Sequence, residues 1–237
     1  CVRFDVHVTV HDVARDLPEP RVLREHCRSM ALLDAVLSPE WESRRHSFDD
    51  HWSETESMAS MRDGAGDEYS IVFSAVGVYV RGFDHESPMS PYAADGPWPG
   101  VLDEVPEVFR PCVEEPAFCD EDGMPVVTVC MWRETGDDGW KAGRIDFPDS
   151  AAEDPDGAGY LFQLLVDRSP EAFQRWAEDY YEVPVDLEAV RHVFSSKPLT
   201  EEVVHALNPE VGLADLHSLA PLAPRSQCAH GRKHEAK

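Results

Sequence analysis

Tyr69-Ser-Ile-Val-Phe-Ser74 and Val78-Tyr-Val-Arg-Gly-Phe83, parted by a short turn ending at Gly77, decide the fold class of this chain. Both runs are rich in β-branched and aromatic side chains, which suit a pleated and partly buried surface, and the glycine suits a tight turn. They predict an antiparallel hairpin. A second pair of runs, Val126 to Arg133 and Trp140 to Phe147, brackets Thr135-Gly-Asp-Asp-Gly139, another turn composition. Two hairpins predict an antiparallel sheet of at least four strands.

Beyond Pro148 the apolar spacing changes from two to the helical period. An acidic linker, Asp149 to Gly159, precedes a helix expected over Tyr160 to Val166. Ser169-Pro170 reads as an N-cap followed by proline at the first helical position, and Phe173, Trp176, Ala177 and Tyr180 then share one face. Asp186 and Thr200 read as further N-caps, and Asn208-Pro209 stops the last of these helices. A sheet followed by a C-terminal set of helices is α+β. Upstream, Val2, Phe4, Val6, Val8 and Val10 alternate with Arg3, Asp5, His7 and Thr9 like a half-buried strand, whereas Met30-Ala-Leu-Leu-Asp-Ala-Val-Leu37 reads as a first helix. Two readings of residues 1–29 stay open: a strand of the fold, or an extension outside it.

The net charge is −25 over 237 residues, and it is unevenly spread. Residues 1–29 sum to zero and residues 216–237 to +3, which leaves −28 in the middle. The expected organisation is a single acidic domain over 30–216 and a disordered basic tail over 217–237. Such a field repels nucleic-acid phosphates and anionic lipid and attracts basic proteins. The expected partner is a basic protein, with neither nucleic acid nor membrane.

Six cysteines form no C-x-x-C pair, and no apolar run is long enough for a membrane span, which points to a reducing, cytoplasmic setting. Cys112, Cys119 and Cys130 are too far apart in sequence for a zinc knuckle and read as small apolar side chains. Cys1 admits an N-terminal nucleophile reading, against which the few strands weigh. No G-x-S-x-G, Walker loop, dinucleotide fingerprint or H-E-x-x-H is present, and no cofactor is expected.

Phe83 and Val101 bound a stretch with four prolines and no periodicity, long enough to read as either an ordered crossover or a binding loop. Within it Asp84, Glu86, Tyr92 and Trp98 are the candidate binding residues. Asp84-His85-Glu86 sets an imidazole between two carboxylates, the materials of acid/base or metal chemistry. Neighbouring side chains of an extended segment point apart, so His46 and His51 are the candidate partners for a metal with His85, although His-x4-His matches no zinc pattern. Asp63, Asp67 and Glu68, with two glycines among them, read as a solvated turn into the sheet.

Met58-Ala-Ser-Met-Arg-Asp-Gly-Ala-Gly-Asp-Glu-Tyr-Ser-Ile-Val-Phe73, Gly82-Phe-Asp-His-Glu-Ser-Pro-Met-Ser-Pro91 and Trp176-Ala-Glu-Asp-Tyr-Tyr-Glu-Val183 resemble an uncharacterised bacterial family, over about Met30 to Leu216. The resemblance implies no activity and assigns no residue. In size, acidity and layout the chain is loosely similar to toxin-immunity proteins. The expectation is a non-enzymatic binding module that uses the 84–100 loop, with an acid/base or metal-assisted enzyme centred on Asp84, His85 and Glu86 as the alternative.

Overall fold

A computed structural model describes residues 8–148 and 153–216. Five antiparallel strands, β1 (His46–Asp49), β2 (Ser57–Arg62), β3 (Glu68–Phe73), β4 (Gly77–Phe83) and β5 (Val129–Glu134), form one sheet in chain order. The fold is α+β, with most of the helices after the sheet. The β3–β4 hairpin forms as its composition requires, with Phe73 opposite Val78 and Gly77 at φ +147. A Cβ at Gly77 would lie 2.2 Å from the Arg133 carbonyl oxygen, so no other residue fits the turn.

Both faces of the sheet are covered, and the two-residue period sorts the side chains between them. Tyr69, Ile71, Phe73, Val78, Val80, Val129 and Met131 face one core, while Val72, Tyr79, Cys130 and Trp132 face the other. The first core is roofed by α1 (Val10–Asp16), α2 (Pro20–Leu37), α5 (Ala158–Leu161), α6 (Gln163–Val166), α7 (Pro170–Tyr181), α8 (Leu187–Phe194) and α9 (Glu201–Leu207), and α10 (Leu213–Leu216) adds its ends to the edge of that core. The second is covered by the β4–β5 connection with its short helices α3 (Pro91–Ala94) and α4 (Arg110–Val113). That connection is ordered, with Met89 and Val101 fully buried.

Several expectations are corrected. Val8 to Val10 is no strand: Thr9 precedes α1, and its N–H and hydroxyl both donate to Asp12 Oδ2, at 2.9 and 2.8 Å. This local cap outweighs the alternation. Residues 1–7 lie outside the described residues, as does Cys1. Helix α2 starts at Pro20, ten residues before Met30, because Leu23, Cys27, Met30, Leu33 and Val36 form one continuous buried stripe. With Val10, Val13 and Leu17 also in the core, the described part of residues 1–29 is packed into the fold. The basic tail 217–237 lies outside the described residues.

The second expected hairpin exists only in part. Val129–Glu134 is a strand, but its return limb is reduced to a single bridge between Trp132 and Lys141. Beyond Lys141 the backbone turns to the β4–β5 connection instead: Gly143 and Gly100 approach so closely that a Cβ at Gly143 would lie 1.9 Å from the Gly100 oxygen, and Trp98 Nε1 donates to the Asp146 carbonyl at 2.9 Å. Strands β1 and β2 replace the missing limb, and Met58 to Met61 is paired on both sides. The helix expected over Tyr160 to Val166 is split at Phe162 into α5 and α6. Ser169, Asp186 and Thr200 do cap α7, α8 and α9, accepting the N–H groups of Ala172, Ala189 and Val203. Among the described residues no helix is long and apolar enough to cross a membrane.

Candidate functional site, an acidic and aromatic end of the sheet

The β2–β3 turn, the exit of β4 and the segment before α5 meet at one end of the sheet. Five aspartates converge there: Asp63 and Asp67 from the turn, Asp84 after β4, and Asp154 and Asp156. Antiparallel register explains the core of this grouping, because Glu68 pairs with Phe83 and the next residues outward are Asp67 and Asp84.

Each carboxylate has its own environment. Asp63 Oδ1 accepts the N–H groups of Ala65, Gly66 and Asp67 at 2.8, 3.1 and 3.0 Å. Burial works against its charge, but these bonds outweigh it and hold the carboxyl below its ordinary range. Asp67 is 7% exposed, and its Oδ1 accepts the His85 N–H at 2.9 Å and lies 2.7 Å from His85 Nδ1. That bond raises the His85 imidazole above its ordinary value while the ring itself stays open to solvent. Asp84 is half-buried, and burial raises its carboxyl, with Asp67 and Asp154 adding to the effect.

The 153–158 segment closes against Asp84 because Gly157 has no side chain: at φ +75, a Cβ there would sit 2.4 Å from Asp84 Cβ. Thr128 Oγ1 accepts the Asp84 N–H at 3.2 Å and donates to the Asp156 carbonyl at 2.8 Å, tying β4, β5 and this segment together. Asp156 itself is fully buried. Its two carboxylate oxygens accept the N–H groups of Val10 and Ala158 at 2.8 and 3.1 Å, and burial pushes its pKa up to about 7.

An aromatic cluster borders the acids. Tyr160 donates its hydroxyl to Asp63 Oδ2 and accepts from the Arg45 guanidinium, both at 3.3 Å. That guanidinium lies 5.9, 5.6 and 5.2 Å from the ring centres of Tyr160, Trp176 and Tyr180, within cation–π range. Tyr92 rests edge-on against Phe83, the neighbour of Asp84 in the chain, with ring centres 5.9 Å apart. Tyr92, Tyr160 and Tyr180 are 60%, 41% and 37% exposed, so all three rings reach the surface.

Of the sequence candidates, Asp84, His85, Glu86 and Tyr92 belong to this end. Trp98 does not: its indole is held by Asp146 and its ring packs on the second core, so it anchors the connection. His46 and His51 are not brought to His85. His46 is buried on β1, where its N–H donates to Asp34 Oδ2 at 2.7 Å and its ring lies edge-on to Trp176. Pairing through Met61 and Tyr69 to Gly82 sets it three strand spacings from the β4 exit, about 14 Å. His51 follows the opposite end of β1. Instead, Asp67, Asp84 and His85 each bring one donor atom within 4.8 Å of the others. Asp63 and Asp67 read in the sequence as a solvated turn, and Arg45, Tyr160, Trp176 and Tyr180 do not read there as site residues.

Cys130 is buried, as its small apolar role requires, and Cys112 and Cys119 are half-buried. Cavities of about 550, 470 and 310 Å3 open elsewhere, beside Pro39 and Val211, beside Arg133 and beside Cys119, and none of the three includes a residue of the acidic end. No protein-family model, curated protein or solved structure matches the chain, so the site is read from its own chemistry.

Proposed function

We propose that the chain is a non-enzymatic protein-binding module, of immunity or antagonist type, that covers a basic surface of its partner with the acidic and aromatic end of the sheet. The observation that carries this reading is one exposed tyrosine, Tyr160, bonded to the Asp63 carboxylate, with exposed Tyr180 joined to it through Arg45 and exposed Tyr92 resting on Phe83, the neighbour of Asp84. Tyrosine rings bury large areas at small rotamer cost, and carboxylates at their border steer a basic partner and exclude acidic ones. Arg45 and Trp176 stiffen the patch from below. The −28 middle segment extends the same field and disfavours nucleic acid.

Capture from a lysate of the source organism, at low and at high salt, tests the reading with the parent chain and a Tyr92→Ala/Tyr160→Ala variant. A basic protein retained by the parent at low salt, released by high salt and not held by the variant is expected. Recovery of no basic protein, or equal recovery by both chains, sinks the reading.

A second reading, an acid/base enzyme centred on Asp84, His85 and Glu86, draws on one observation: the buried Asp67 carboxylate aligns an exposed imidazole, as an orienting acid aligns a general base. Turnover of any substrate that is lost in both His85→Gln and Asp67→Asn would favour it over docking.

A further inference from the structure

We infer that Asp67, Asp84 and His85 form a site for one divalent first-row transition-metal ion. The three come from two turns that antiparallel pairing sets side by side, with one donor atom each within 4.8 Å of the others. Ligand atoms around an ion with bonds of about 2.1 Å stand roughly 3–4 Å apart, so the set closes by side-chain motion alone.

The donor types choose the ion. An imidazole nitrogen with two carboxylate oxygens suits Zn2+, Mn2+ or Fe2+, whereas Ca2+ and Mg2+ take oxygen ligands and water. The imidazole therefore separates this set from an ordinary acidic patch.

A second observation points to a cation. Among the described residues, no Lys or Arg is ion-paired with Asp63, Asp67, Asp84, Asp154 or Asp156, and the Arg pairs to Asp50, Glu68, Glu19, Glu104 and Glu171 fall outside this group. Arg45, the basic group nearest in the bonding chain, reaches Asp63 only through the Tyr160 hydroxyl. Crowded carboxylates in a half-buried setting repel one another, and a divalent ion relieves that repulsion.

The segments that carry the ligands are also fixed to one another before any ion arrives. Asp67 is nine-tenths buried and holds both the backbone and the ring of His85. Asp84 is fixed by Thr128 and by the close approach of Gly157. Three protein ligands leave coordination positions for water or for a group of a bound partner.

The test is calorimetric titration of the full, untagged chain, stripped with a chelator, with Zn2+ and with Mn2+. One equivalent is expected to bind. His85→Gln and Asp84→Asn should each weaken that binding by at least about tenfold, the usual scale for disturbing a metal site. His51→Gln should leave it unchanged, and excess Mg2+ should not displace the ion. Absence of saturable uptake overturns the inference. So does uptake that neither His85→Gln nor Asp84→Asn changes, or that His51→Gln abolishes. Matching circular dichroism and melting curves for parent and variants keep a folding defect from imitating the expected result. The measurement needs no protein partner, so its outcome is independent of the capture experiment.

Discussion

Replacing Asp156 by asparagine tests whether this end of the molecule is built around a carboxylate that resists ionisation. The native carboxyl is fully buried, and burial pushes its pKa from 3.8 to about 7. Between those values the folded chain keeps a proton that the unfolded chain has released. Stability from this group therefore falls as pH rises through the window and is lowest above it. From near pH 5 to near pH 8 the change is about 3 kcal/mol, at 1.36 kcal/mol per unit. The asparagine does not titrate. It keeps one oxygen for one of the two N–H donors, Val10 or Ala158, and turns its amide toward the other, which costs about 1–3 kcal/mol at every pH. Urea unfolding at the two pH values should find Asp156→Asn less stable than the parent near pH 5, and equal or more stable near pH 8. A difference between variant and parent that does not move with pH refutes the reasoning.

Other outcomes follow from single contacts. Asp186→Ala should lower stability by about 1 kcal/mol through loss of the α8 cap, read as a shifted urea midpoint at constant slope. Gly77→Ala places a Cβ against the Arg133 carbonyl at positive φ, so the soluble, folded yield should collapse, and a native circular dichroism spectrum would contradict the turn geometry. Asp67→Asn should lower the His85 pKa toward its ordinary 6.5, which a histidine proton titration by NMR follows, and an unchanged value would show that the bond to Asp67 is not what raises it.

What could be read from the chain follows the range of the forces involved. The β3–β4 hairpin and the caps Ser169, Asp186 and Thr200 rest on contacts between residues a few positions apart, and composition reports such contacts directly. Strand β2 alternates Met58, Ser60 and Arg62 with Ala59 and Met61, a weak contrast, and it becomes a strand because β1 and β3 pair with it on both sides. Trp140 to Phe147 carries the composition of a strand but meets the β4–β5 connection first. In the site, Asp84, His85, Glu86 and Tyr92 were visible as a loop of unusual chemistry. Asp67 was recoverable in principle: once Phe73 faces Val78, counting outward along the hairpin puts Asp67 opposite Asp84. Arg45, Tyr160 and Tyr180 were not, because only the packing of α7 beside the sheet end brings them together.

The order of the strands carries a kinetic consequence. The first four strands are joined by short links, three residues in the case of β3 and β4, so they can zip up as successive local hairpins. Strand β5 must instead wait for residues 84–128 to close into a loop, at an entropic cost on the order of 2 kcal/mol above that of the three-residue turn. Asp84 and Thr128 stand at the two ends of that loop, and the hydrogen bond between them forms when it shuts. The clasp that completes the acidic end is thus made at the latest step of sheet formation. A chain arrested before that step would hold Asp67 and Asp84 side by side in the hairpin but lack the clasp from Thr128 to Asp84 and Asp156, which only the finished sheet supplies.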